Sequence, residues 1–307
     1  MTETEVCLEL FLDWLNRIHA RAFRTDEFAH PGLAVDGPLR IAVEVHPLVG
    51  PTENQPWLAL RDQLQQEIAR DLPGAYALWL PAGADLPSGA EEAAGFVRRV
   101  REAAAGLQPG DRSYVPLPIT LYLRRTQQEG TLVSVSGGLN PHWARLSERV
   151  QGAFDLDSTR LHRLPESDEH LERLMETVWE RARQLDSPGQ WVEIETIDAW
   201  TVQRLAAGEG LAIVGVPPEE TQDMGLAVRR NFRRLLAAAG RRLRQREADL
   251  RALVALGYYP RLEQEGATTA LRGYDPALYA DIDFICLAAD GLIKPLIQLP
   301  AHLLPWS

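Results

Sequence analysis

Apolar residues at Cys7, Leu10, Phe11, Trp14, Leu15 and Ile18 recur every three or four positions, which predicts a helix to about Ala20 with one face turned to a core. Thr2 and Glu5 ahead of that stripe have the spacing of a capping box and mark its start. The period then changes. Two short apolar runs, Leu33–Val35 and Leu39–His46, flank Asp36-Gly37-Pro38, and an Asp-Gly turn between such runs predicts a β-hairpin. A helix over about 56–70, a strand over 76–80 and a helix over 91–105 continue in alternating β and α order. Strands over 119–124 and 131–136 are expected to pair around the polar turn 125–130, with Gly137-Gly138 ending the second.

From 141 to 165 no period is regular, and a connection between lobes is expected there. A helix over 167–184 and an alternating, half-exposed strand over 191–197 follow. The run Leu211–Val216 is uniformly apolar and belongs in mid-sheet. A long helix over about 221–250 places Phe232, Leu236, Leu243 and Leu250 near one face. Strands over 252–256, 282–287 and 292–299 close the chain, the last two joined by Ala289-Asp290-Gly291. The fold class expected is α/β, a mixed central sheet with flanking helices, in a single domain over 1–307 with 47–210 as a candidate inserted sub-domain.

At 307 residues and 45% hydrophobic the chain can bury a substantial core. No apolar run approaches the roughly 20 residues of a membrane helix. The acidic start lacks the positive flank of a secretory signal, so a cytoplasmic protein away from membranes is expected. Cys7 and Cys286 both fall in apolar patterns and suit small core positions. The net charge of -11 disfavours a protein that coats nucleic acid nonspecifically. Its distribution is uneven, however: residues 229–251 hold nine arginines against Glu247 and Asp249, a local excess of seven positive charges that leaves -18 for the rest. Arg230, Arg233, Arg234, Arg241 and Arg244 are the candidate phosphate contacts, since guanidinium groups suit bidentate binding to phosphate; the plain alternative is a solvated helix face paired with acids.

A carboxylate in the apolar strand Ile41-Ala-Val-Glu-Val-His46 is costly unless paired or metal-bound, which singles out Glu44. Either it does chemistry or it forms a structural hydrogen bond or salt bridge, an arginine being a natural partner. Period two puts Glu44 and His46 on one face while Val43 and Val45 face the other way. His46 can serve as a base near neutral pH or simply end the strand before Pro47, and Asp36 suits a turn or a metal. His142, His162 and His170 are scattered among acids and make a weak metal pattern. Ser136-Gly137-Gly138 lacks the lysine and helix of a nucleotide loop, and no Gly-x-Ser-x-Gly elbow occurs.

The order of a helix, a hairpin with an acid near its first strand, and a second strand carrying an acid followed two positions later by a polar residue resembles the PD-(D/E)xK nuclease superfamily. The run from Pro31 to His46 looks like an uncharacterised branch with a Glu-Val-Thr or Glu-His-Thr type strand, in which a long helix comes late and a strand follows. The resemblance implies a restriction-endonuclease-like core with a large insertion. It also implies metal-dependent hydrolysis of phosphodiester bonds in DNA or RNA, with Glu44 and Asp36 as ligands of Mg2+ or Mn2+ and His46 in the place of the family's lysine. Two motif positions depart from the pattern: the family's Pro-Asp is Pro31-Gly32 here, and its lysine is His46. Two rival expectations stand beside the nuclease: a catalytically inactive nuclease-fold binding or scaffold module, and an unrelated α/β interaction protein that engages a protein partner.

Overall fold

The computed structural model describes residues 1–25, 32–48, 54–81, 84–165, 167–217, 224–257 and 273–306, the side chains of 224–230 excepted. Helix α1 (Glu3–His19) starts at the capping box, where Thr2 N–H donates to Glu5 Oε2 at 2.7 Å and Glu5 N–H to Thr2 Oγ1 at 3.3 Å. The strands β1 (Arg24–Thr25), β2 (Leu33–Asp36) and β3 (Leu39–Pro47) follow as a meander, β2 and β3 forming the predicted hairpin. Then come α2 (Gln55–Ala69), β4 (Ala75–Trp79), α3 (Ala90–Ala104), β5 (Arg112–Gln127), β6 (Thr131–Gly137), α4 (Trp143–Ser147), β7 (Gly152–Ser158) and α5 (Asp168–Arg183). The chain closes with β8 (Trp191–Arg204), β9 (Gly210–Val214), α6 (Met224–Arg244), β10 (Leu250–Leu256), β11 (Phe284–Ala289) and β12 (Leu292–Gln298).

The protein is mixed α/β, with two mixed sheets flanked by helices. Its chain divides into two units, one of 1–113 with 201–307 and one of 114–200. Of the expected insertion over 47–210, the described parts up to 113 and from 201 onward therefore belong to the first unit. No helix among the described residues is long and apolar enough to cross a membrane.

In the first unit one sheet runs in the order β1-β2-β3-β10-β11-β12. Strands β3, β10 and β11 are mutually parallel, β2 on one side and β12 on the other are antiparallel to them, and β1 is antiparallel to β2. Parallel strands need a crossover, and the return from the Glu44 strand to its neighbour β10 ends in α6. One face of this sheet, with Ile41, Val43, Val254 and Phe284, packs on Val6, Leu10, Phe11 and Leu15 of α1. The other, with Ala42, Leu253, Ala255 and Ile285, packs on Phe232, Leu236, Ala239 and Leu243 of α6. Their i, i+4, i+7, i+11 spacing gives α6 its single apolar stripe. Cys7 and Cys286 lie buried as free thiols in the first of these cores, and burial pushes both thiols up. In the same unit β4 pairs in parallel with β9 and antiparallel with the 201–204 end of β8.

In the second unit β6 is parallel to β7, and β7 is antiparallel to β5. Leu121, Leu123, Phe154 and Leu156 from one face of these strands pack on Leu171, Met175 and Val178 of α5. The stretch 141–165 is therefore not an irregular connection, because it contains α4 and the strand β7. The late helix also stops short of 250: Leu250 already belongs to β10, and Asp249 starts the pairing by donating its N–H to Arg40 O at 3.0 Å and accepting from Arg40 N–H at 2.8 Å.

Candidate functional site

Glu44 stands in the middle of β3, opposite Leu253 of β10, on the face covered by α6, and is 5% exposed. A charge so placed requires a partner, and α6 supplies one. Arg242 Nε lies 3.0 Å from Glu44 Oε1 and 2.9 Å from Oε2, and Arg242 Nη2 lies 2.8 Å from Oε2. Arg246 Nη2 is 3.9 Å from Oε1. His46 Nε2 stands 2.9 Å from Glu44 Oε2 and 2.7 Å from Arg242 Nη2, so the ring either accepts from the guanidinium or donates to the carboxylate. Burial pushes the Glu44 carboxyl up, but the hydrogen bonds and charge of Arg242 and His46 outweigh it and hold the carboxyl below the ordinary glutamate value. The same hydrogen bond raises the Arg242 guanidinium.

Asp36 is not part of this group. It pairs across the turn with Leu39, and directly opposed residues point to one side of a sheet. From Leu39 to Glu44 is an odd number of steps, so the two carboxylates point to opposite faces and are about 16 Å apart along the strand. Asp36 instead binds Arg21 Nη2 at 2.6 Å, on the α1 side. The expected Asp36 and Glu44 metal pair is thus corrected, because one ion cannot be reached from both faces of a sheet.

The position where the resemblance implies an aspartate is closed as well. Gly32 has a φ of +89°, and a Cβ placed on it would lie 2.2 Å from Val43 O and 3.3 Å from Arg246 Nη1. Val43 N–H donates to Gly32 O at 2.6 Å, which holds the two backbones at this close approach. Glu5, spent on the cap, offers no second acid either. The residues present do not fit a divalent ion: both Glu44 oxygens face guanidinium groups, and no group of three or more His, Cys, Asp or Glu among the described residues is arranged to hold a metal.

The arginine helix divides by role. Arg242 is bound to Glu44, and Arg244 Nε pairs with Asp281 Oδ2 at 3.0 Å. Arg233, Arg234 and Arg241 are exposed, while the Arg230 side chain lies outside the described residues. The sequence expected an arginine for Glu44 without identifying it. Arg242, in the last turn of α6, and Arg246, two residues past its end, were hidden among neighbours with no feature to separate them.

In the second unit His162 Nδ1 bonds Asp198 Oδ2 at 2.9 Å, and Asp198, 1% exposed, also accepts from Arg163 N–H at 2.9 Å and Trp200 Nε1 at 3.3 Å. This fixes a loop rather than assembling a metal centre, since His142 lies in a short 3-10 turn and His170 in the first turn of α5. A cleft of about 1030 Å³ beside it is lined by Tyr114, Ile119, Arg163, His170 and Glu195, among others. Comparison with protein-family models, with curated proteins and with solved structures gave no match.

Proposed function

We propose that the protein is a nuclease-like module whose carboxylate site is closed by its own arginines, and that it binds nucleic acid through α6 instead of cutting it. The observation that carries this reading is the fork of Arg242 on Glu44: a tethered cation occupies the oxygens that a divalent ion would need. The closed approach at Gly32 supports it further. Support for nuclease-like descent comes from the order of elements: a capped helix, a hairpin, the Glu44 strand, and a late helix leading to the parallel neighbour of that strand. The exposed Arg233, Arg234 and Arg241 form the phosphate-binding face.

Labelled single- and double-stranded DNA and RNA with Mg2+ or Mn2+ test the closed site. The wild type and Glu44→Ala leave all four substrates intact, and cleavage that disappears in Glu44→Ala would establish an active nuclease instead. Binding is tested on the same substrates without metal. Neutralising Arg233, Arg234 and Arg241 lowers the dependence of log K on log salt for duplex DNA by about 2.7, from about 0.9 per phosphate contact. Absence of binding by the wild type at about 50 mM salt favours the protein-interaction class.

A further inference from the structure

The outer face of the second unit's sheet carries four exposed large apolar side chains. Trp191 is 59%, Ile197 56%, Leu132 48% and Tyr122 39% exposed, on strand positions that alternate with the buried Ile194, Val133, Leu121 and Leu123. Large apolar side chains gathered on one open face mark an interaction surface. The Tyr122 and Trp191 rings have centroids 6.0 Å apart, and a shallow concavity of about 680 Å³ lies over them. Its charge selects the occupant. Asp155, Asp157, Glu193 and Glu195 share these outward positions with Arg124, itself paired to Asp155 at 2.7 Å. Phosphates are repelled by such a face and cations are attracted, through carboxylate forks and through stacking of guanidinium on the indole.

This chain presents the complementary surface itself. Arg234 and Arg241 are exposed and seven residues apart, two turns along one side of α6 and about 10 Å from each other. We propose that α6 of a second copy of this chain docks on the Tyr122–Trp191 face. Donor helix and acceptor face are different surfaces, so the contact is heterologous and links copies head to tail. Taken together with the reading of α6 as the nucleic-acid-binding helix, on which this consequence alone rests, self-association and nucleic-acid binding exclude each other.

Sedimentation equilibrium of the full chain tests the contact without nucleic acid. At about 50 mM salt the wild type sediments above the monomer mass, and at about 1 M it returns to the monomer. An acceptor variant, Trp191→Ala with Tyr122→Ala, and a donor variant, Arg234→Glu with Arg241→Glu, are each monomeric at low salt. Because each retains one surface, mixing them in equal amounts gives a complex of two chains. A monomeric wild type at low salt, or a mixture that stays monomeric, overturns the proposal. The acceptor variant keeps α6 intact, so its DNA binding tests the nucleic-acid reading separately.

Discussion

Replacing Arg242 by methionine keeps the apolar stem of the side chain and removes the guanidinium that forks onto Glu44. Breaking a fully buried ion pair costs about 3–5 kcal/mol, because the remaining charge has no partner. Here the Glu44 side chain is 4% exposed but that of Arg242 is 48% exposed, so water already shares one end of the pair. Arg246 at 3.9 Å and His46 also remain. The expected loss for Arg242→Met is therefore about 2 kcal/mol, well below the buried limit. Glu44→Gln keeps an acceptor and the shape of the side chain and costs about 1 kcal/mol. In the double variant neither charge is stranded, so its loss falls short of the sum by at least about 1 kcal/mol. Urea unfolding of the four proteins at neutral pH, followed by circular dichroism, measures this cycle. An Arg242→Met protein within about 0.5 kcal/mol of the wild type, or strictly additive losses, would refute the view that Glu44 is held by Arg242.

Acid stability follows from the same pair. Since the Glu44 carboxyl is held low in the fold, its contribution is complete above the unfolded value of about 4.3 and is lost as pH falls through the lower folded value. Asp157, held low chiefly by hydrogen bonds from Thr159, acts in the same direction. Glu44→Gln thus flattens the decline of stability below about pH 4, and superimposable acid titrations of the two proteins would count against the assignment. In the second unit Arg125, 9% exposed, donates to the carbonyls of Leu185, Gln127, Gln128 and Gln151, with Phe154 packed 5.3 Å away. Arg125→Met leaves these carbonyls without their donor and costs about 2–3 kcal/mol in urea unfolding, and a loss below about 0.5 kcal/mol would show the clamp to be incidental.

Helix α1, the hairpin and the buried stripe of α6 were legible because each carries a clean period and a local punctuating signal: Thr2 and Glu5, Asp36-Gly37, and the Phe232 to Leu243 spacing. Strand β7 was not, since only Phe154 and Leu156 alternate with Asp155 and Asp157 in a polar stretch, too short a run to stand out. The failure of Asp36 and Glu44 to meet could have been counted from the turn, because an odd step along β3 reverses the face. The Glu44–Arg242 pair could not, since its members are 198 residues apart and nothing in the chain fixes which arginine meets β3 until the crossover is folded. Gly32 was legible as a position without an acid, but only the approach of Val43 O shows that no side chain fits there.

Gly32, Glu44 and Arg242 are parts of one arrangement. Arg242 lies in the last turn of α6, where unpaired carbonyls give the helix end a partial negative charge that favours cations. A carboxylate at this end is doubly unfavourable unless a positive group stands between the two, and Arg242 does so on the helix that also brings it there. Its position is secured by Phe232, Leu236, Ala239 and Leu243 in the core and by Asn231 Nδ2, which donates to Leu48 O at 3.0 Å beside β3. A free ion would have to displace a guanidinium tethered at that spot, with no acid at Gly32 and with Asp36 held by Arg21 on the opposite face. The closed approach at Gly32 and the presence of Arg242 thus reinforce one another. With no acid at Gly32 and Asp36 on the opposite face a metal has little hold, and with a fixed cation Glu44 can stay buried and charged.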